Sequence, residues 1–129
     1  DRFQARRQAM AERYLAELSD LPIQLPPQAK NPATDLHSWH LFCCQLTTSK
    51  ISRDEFILAM SELGIGTSVH FIPLHLQPYW QERYNLLSEQ FPNASQYFKF
   101  AVSLPLYTKM TDDDQTRVIA AVRQILLGL

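Results

Sequence analysis

Apolar positions recur at helical spacing in the opening segment. Met10, Tyr14 and Leu18 stand four residues apart, Ala11 and Leu15 lie beside them, and Arg6, Arg7, Glu12 and Arg13 supply a polar side. The pattern predicts an amphipathic helix over residues 1–20. Pro22, Pro26, Pro27 and Pro32 then rule out a continuing helix and predict an extended surface connector over 21–36. From Ser38 the run Trp39-His40-Leu41-Phe42-Cys43-Cys44-Gln45-Leu46 is almost wholly apolar, the pattern of a strand covered on both faces and central in a small sheet.

Local signals mark the next elements. Ser52 followed by Glu55 is a capping box, Phe56, Met60 and Leu63 repeat at helical spacing, and Gly64 stands where a left-handed terminating residue is needed. Residues 67–71 alternate, with Thr67, Val69 and Phe71 on one face and Ser68 and His70 on the other, which predicts a second strand pointing His70 away from its apolar side. An aromatic-rich stretch, Tyr79 to Tyr84, precedes Pro92, which opens a short helix through Ala94, Tyr97, Phe98 and Ala101. Ser103-Leu104-Pro105-Leu106 reads as a brief extended piece. Thr111 then caps a final helix whose first turn is Asp112-Asp113-Asp114 and whose buried stripe is Val118, Val122, Ile125 and Leu129. The expected class is α/β, of the α+β kind: a small sheet of about three strands with helices packed on one side.

Composition narrows the possibilities. With 129 residues, 46% apolar and 19% charged, the chain suits one folded domain. Twelve basic against thirteen acidic residues leave a net charge of -1, and no basic cluster could track a phosphate backbone, so no nucleic-acid partner is expected. No apolar run reaches membrane-spanning length and no signal peptide opens the chain, which makes a cytoplasmic setting the simplest expectation. The chain has no initiator Met and starts inside its first helical pattern, which reads as a fragment. Cys43 and Cys44 are adjacent within an apolar run and read as small core residues.

Candidate chemistry is sparse. The histidines form two pairs, His37 with His40 and His70 with His75, but neither spacing converges on a metal and neither cysteine completes a site, so no metal is expected. His40 is expected to pack beside Trp39 with one ring nitrogen bonded, and His37 to be exposed. No G-x-S-x-G, P-loop or G-x-G-x-x-G occurs. The three aspartates read as first-turn electrostatics. His70-Phe71-Ile72-Pro73-Leu74-His75 differs, because two imidazoles flank a proline-stiffened loop with Tyr79 and Trp80 nearby, the kind of segment that lines binding clefts.

The combination of His37-Ser38-Trp39-His40-Leu41-Phe42, Arg53-Asp54-Glu55-Phe56, Gly64 through Phe71 with Pro73-Leu74-His75, Ser103-Leu104-Pro105-Leu106 and Met110-Thr111-Asp112 resembles the DegT/DnrJ/EryC1/StrS family of pyridoxal-phosphate-dependent sugar aminotransferases across nearly the whole chain. The resemblance implies the C-terminal small domain of a fold-type I transferase over residues 1–129: an entry helix (1–20), a proline-rich connector (21–36) and an α/β core (37–129). It further implies a homodimeric parent that moves an amino group from glutamate, yielding 2-oxoglutarate, to a nucleotide-linked keto sugar for envelope polysaccharide, lipopolysaccharide or related sugar pathways. The family's Schiff-base lysine and pyridine-binding aspartate lie upstream, and Lys30, Lys50, Lys99 and Lys109 do not fall in the lysine motif. The chain is therefore expected to carry no catalytic and no cofactor-binding residue and to be inactive alone, while His70, Phe71, His75 and Tyr79 are expected to face substrate. The competing reading is a stand-alone small-molecule-binding or interaction module of similar layout.

Overall fold

The computed structural model describes residues 2–31 and 34–128. Helix α1 runs Arg2–Glu17 and buries Met10, Ala11 and Tyr14, with Leu18 just beyond its end, so the predicted stripe is the packed one. Strands β1 (Ile23–Gln24), β2 (Phe42–Leu46) and β3 (Ala101–Leu104) form one antiparallel sheet in the order β1-β2-β3. The register pairs Ile23 with Leu46, Phe42 with Leu104 and Cys43 with Ser103. Helices α2 (Arg53–Glu62), α3 (Pro78–Tyr84), α4 (Pro92–Phe100) and α5 (Asp112–Leu127) complete the chain.

Alternation along β2 explains the layering. Phe42, Cys44 and Leu46 are buried and meet α1, α2 and α5 in one core with Tyr14, Phe56, Met60, Val102, Leu104 and Val122, while Cys43 and Gln45 point to the other face. Tyr14 and Phe42 pack with ring centroids 4.9 Å apart. Burial raises the Tyr14 hydroxyl well above the ordinary tyrosine range, and that hydroxyl donates to the Pro105 carbonyl at 2.8 Å. Helix α4 lies on the second face. The sheet is therefore covered on both sides, a correction to the expectation of helices on one side only.

Four other sequence expectations need correcting. The connector is not simply a surface crossing, because Ile23 and Gln24 add the third strand at the edge of β2. Residues 67–71 form no strand: Ser68 alone bridges Ser103, and the chain then leaves the sheet as His70 turns toward Ser103 and Pro73 withholds a ladder donor. Its apolar side is the outward one, with Val69 and Phe71 exposed. The long apolar run begins its strand only at Phe42, because Trp39 takes a left-handed backbone at φ 46°. The histidines of that segment exchange roles. His37 packs against Trp39 with ring centroids 4.1 Å apart and planes tilted by 39°, and accepts from the Trp39 amide through Nδ1, whereas His40 is exposed. Pro32 of the connector and Leu129 of the final stripe lie outside the described residues.

Helix ends follow their local signals. Ser52 with Glu55 and Thr111 with Asp114 form reciprocal capping boxes, and Gly64 takes φ 73°. The N–H and hydroxyl of Thr111 hold the Asp114 carboxylate below the usual aspartate value. A group with a depressed folded value stabilises the fold above its unfolded value and loses that contribution as pH falls through the folded one. Thr111→Ala is therefore expected to lower Tm by a few degrees at neutral pH. The deficit should shrink as pH drops below 3.8, the ordinary aspartate value, and thermal unfolding at the two pH values checks it.

Helices α1 and α5 are joined by polar contacts as well as by the core. Arg123 makes a bidentate pair with Asp20, and Arg6 reaches both the Met110 carbonyl and Asp112. Gln115, buried among the apolar residues of α5, donates to the Met10 carbonyl at 2.7 Å, which satisfies a polar group that would otherwise be costly to bury.

Candidate functional site

The second face of the sheet carries the groups that the core does not consume. Period-two alternation places Cys43 there, its register partner Ser103 shares that face, and α4 crosses above them. The Tyr97 hydroxyl donates to Cys43 Sγ at 2.9 Å. Desolvation first, and then that bond, push the Tyr97 hydroxyl up to about 12, while burial lifts the Cys44 thiol on the core side to about 12. Both stay protonated at neutral pH. Tyr97 is therefore a hydroxyl donor rather than a base, and Cys44 is not a nucleophile.

A cavity of about 200 Å³ opens between α4 and the loop that follows Ser68. Val69, His70, Phe71 and Pro73 form one wall, and Ala94, Tyr97 and Phe98 the other. Its surface is mainly hydrocarbon and aromatic, with an imidazole and a phenol as polar points, a composition suited to ring faces with a few oriented hydrogen bonds. His70 Nε2 lies 3.2 Å from Ser103 Oγ, which aims the ring from the sheet edge toward this space. Phe71 stands 92% exposed at the rim, its ring stacked on His70 at 6.3 Å. Arg53 braces the far wall: its guanidinium donates to the Phe98 carbonyl and sits 5.0 Å over the Phe98 ring.

The other expected site residues are placed differently. His75 lies in the 3₁₀ turn Leu74–Leu76 and is only 4% exposed, bonded to Ser95 and stacked on Phe91. The sequence pairs it with His70 as a substrate-facing group, but the structure turns it inward, where α4 and Phe91 close over the ring. Tyr79 is exposed on α3, outside the residues that line the cavity, where it meets Trp80 edge-on at 5.3 Å. Trp80 in turn stacks on Tyr84 at 5.6 Å. Sequence reasoning missed Tyr97, Phe98, Cys43 and Ser103. The available signal was the alternation in β2, which separates Cys43 from its buried neighbours Phe42 and Cys44.

Pyridoxal phosphate needs a lysine held in a cleft to carry it, and Lys30, Lys50, Lys99 and Lys109 are all exposed on separate segments. Among the described residues no lysine stands in a cleft that would hold that cofactor by its aldehyde. Among the described residues no group of three or more His, Cys, Asp or Glu side chains could hold a metal ion, and no helix is long and apolar enough to cross a membrane.

Fold and site together define an α+β domain with an aromatic, imidazole-rimmed cavity. Residues 1–123 match the DegT/DnrJ/EryC1/StrS aminotransferase family, and the chain belongs to that family. It is 42% identical over 131 residues to the spore coat polysaccharide biosynthesis protein SpsC of Bacillus subtilis (strain 168), a match covering 99% of this chain and 33% of SpsC. Among solved structures it is similar to DesV of S. venezuelae, crystallised in complex with a ketimine intermediate, with a TM-score of 0.83 and 34% identity over 96% of this chain and 32% of DesV. It is likewise similar to the aminotransferase TlmJ from Streptoalloteichus hindustanus, with a TM-score of 0.83 and 28% identity over 98% of this chain and 32% of TlmJ. The chain thus spans about a third of the length of each of these relatives.

Proposed function

We propose that this chain is the C-terminal small domain of a pyridoxal-phosphate-dependent sugar aminotransferase and forms the substrate-facing wall of its active cleft. The reaction is transfer of an amino group from glutamate to a nucleotide-linked keto sugar, in the service of cell-envelope polysaccharide or lipopolysaccharide synthesis. The parent is a cytoplasmic homodimer. A relative that bears the name of a polysaccharide biosynthesis protein supports the sugar assignment. The single observation that carries the reading is the division of labour: a family match over residues 1–123 in a chain whose lysines are all exposed, yet which presents His70 and Phe71 at an aromatic cavity.

The cofactor, bound to the other two-thirds of the parent, supplies the electron sink for the amino transfer. The residues here act by binding and orientation. The imidazole of His70, held by Ser103, offers a directed hydrogen bond to a sugar or diphosphate oxygen, Phe71 offers a ring face at the cavity rim, and Tyr79, on α3 outside the cavity, would meet only a part of the ligand that extends beyond it. Water is displaced from the hydrocarbon walls as the ligand enters, which strengthens that hydrogen bond. In the full-length protein, His70→Ala should raise KM for the nucleotide sugar about tenfold, the size of one lost directed hydrogen bond. Cofactor absorbance should be unchanged. Steady-state kinetics with an absorbance spectrum tests this, and an unaltered KM would reduce His70 to a partner of Ser103.

A further inference from the structure

Two imidazoles hold the loop 70–77 to the rest of the fold, and they do different things. Phe71, Ile72 and Leu74 are 92%, 50% and 65% exposed, so apolar packing does not fix the segment. Within it the backbone is tied by Leu76 to Pro73 and Gln77 to Leu74, and the Gln77 side chain reaches the Ile72 carbonyl. These bonds shape the loop but do not attach it. Attachment comes from His70 at the sheet edge and from His75 on α4.

His75 is the stronger of the two anchors. Its Nε2 lies 2.8 Å from Ser95 Oγ, its ring stacks on Phe91 at 4.8 Å with planes 22° apart, and it is 4% exposed. Ser95 Oγ donates its own hydrogen to the Ser88 carbonyl at 3.2 Å. The hydroxyl therefore accepts from His75, which places the imidazole proton on Nε2. Ser95 stands on α4 between Ala94 and Tyr97, two residues of one cavity wall, and His75 follows Pro73, a residue of the other. The bond between them clasps the two walls together.

We propose that His75 is a positioning residue for substrate recognition: through Ser95 and Phe91 it sets the width of the cavity and the pose of His70 and Phe71, without itself touching the ligand. The proposal rests on the reading of this loop as substrate-facing. A side chain that acts this way should affect binding of the sugar far more than turnover of bound sugar, and should be replaceable by a group that presents the same donor at the same place.

The test uses the full-length protein, with two readouts: kinetics with the nucleotide sugar, and hydrogen exchange of the segment 70–77. His75→Ala should raise KM about tenfold with kcat within about twofold, and should speed exchange in 70–77 while α1 and α5 exchange as before. His75→Gln, whose amide nitrogen reaches the place of Nε2, should recover most of the loss. Ser95→Ala should reproduce part of it and add little on top of His75→Ala, since the two groups form one bond. The proposal is overturned by unchanged exchange in 70–77, by a kcat loss that matches the KM change, or by a glutamine variant as impaired as alanine. If His75→Ala fails to fold, Ser95→Ala decides on the same two readouts. The exchange arm separates this idea from the one beneath it: faster exchange in a protein with no nucleotide-sugar turnover refutes the assigned activity and leaves the clasp standing.

Discussion

Trp39→Ala should cost the fold about 3–5 kcal/mol, the range for removing a large buried aromatic. Trp39 is 1% exposed, packs against Phe42 at 6.0 Å and His37 at 4.1 Å, and donates its indole N–H to Gln8 Oε1 at 2.7 Å. Alanine would leave a cavity beside α1 and β2 and take the indole donor from Gln8 Oε1, while the chain still had to adopt φ 46°. That backbone gives the prediction a second arm. Glycine accepts a left-handed conformation at no steric cost, so Trp39→Gly should be no less stable than Trp39→Ala, against the usual order for these residues. Urea unfolding of both variants tests it. A loss below about 1 kcal/mol for alanine would mean that the site collapses without a void. Because domains are stable by only about 5–15 kcal/mol, the expected loss is a large share of the whole.

The 129-residue chain, mixed with pyridoxal phosphate, glutamate and a nucleotide keto sugar, should show no transamination and no lysine-bound cofactor band, whereas the full-length protein should show both. The physical ground is the placement of the four lysines. Each is exposed, they stand on separate segments, and none lines the aromatic cavity. Turnover by the isolated chain at anything near the roughly 1–1,000 per second of ordinary enzymes would sink the division of labour proposed above. The same comparison separates the parent-enzyme reading from a stand-alone binding module, for which the longer protein would add no cofactor chemistry.

Local features were the legible ones. Ser52 with Glu55, and Thr111 before its three aspartates, announce helix starts because the partners lie within three residues and need nothing from elsewhere; that Asp114 also closes a capping box with Thr111 is what the structure adds. The stripes Met10-Tyr14-Leu18 and Phe56-Met60 are buried as their spacing requires. The aromatic stretch from Tyr79 proved helical because Pro78 starts it at the first turn and Asn85 ends it at φ 49°. The errors have a common origin. Ile23 and Gln24 give too short a signal to read among four prolines, and they become a strand only because β2 offers an open edge. Residues 67–71 alternate as a strand would, yet beyond Ser68 the ladder stops and the His70 ring is hydrogen-bonded to the Ser103 side chain instead. His37 and His40 exchange roles because the left-handed turn at Trp39 swings the earlier ring, not the later one, over the indole.

The candidate site divides along the same line. The segment from His70 to His75 stood out as a candidate by its residue types, and the order of the motifs along the chain pointed to its family. Which imidazole looks outward was not readable, because the two differ only in what lies across from them: Ser103, 33 positions away, and Ser95, 20 positions away. Tyr97 meets Cys43 across 54 positions and Gln115 meets the Met10 carbonyl across 105. By itself the sequence determined where helices begin, which of their faces are apolar and which family the chain joins, since these depend on neighbours within a few residues. The tertiary structure alone decided the strand that completes the sheet, the helix that covers its second face and the side chains that meet there, because those depend on register and packing between segments that no local pattern brings together.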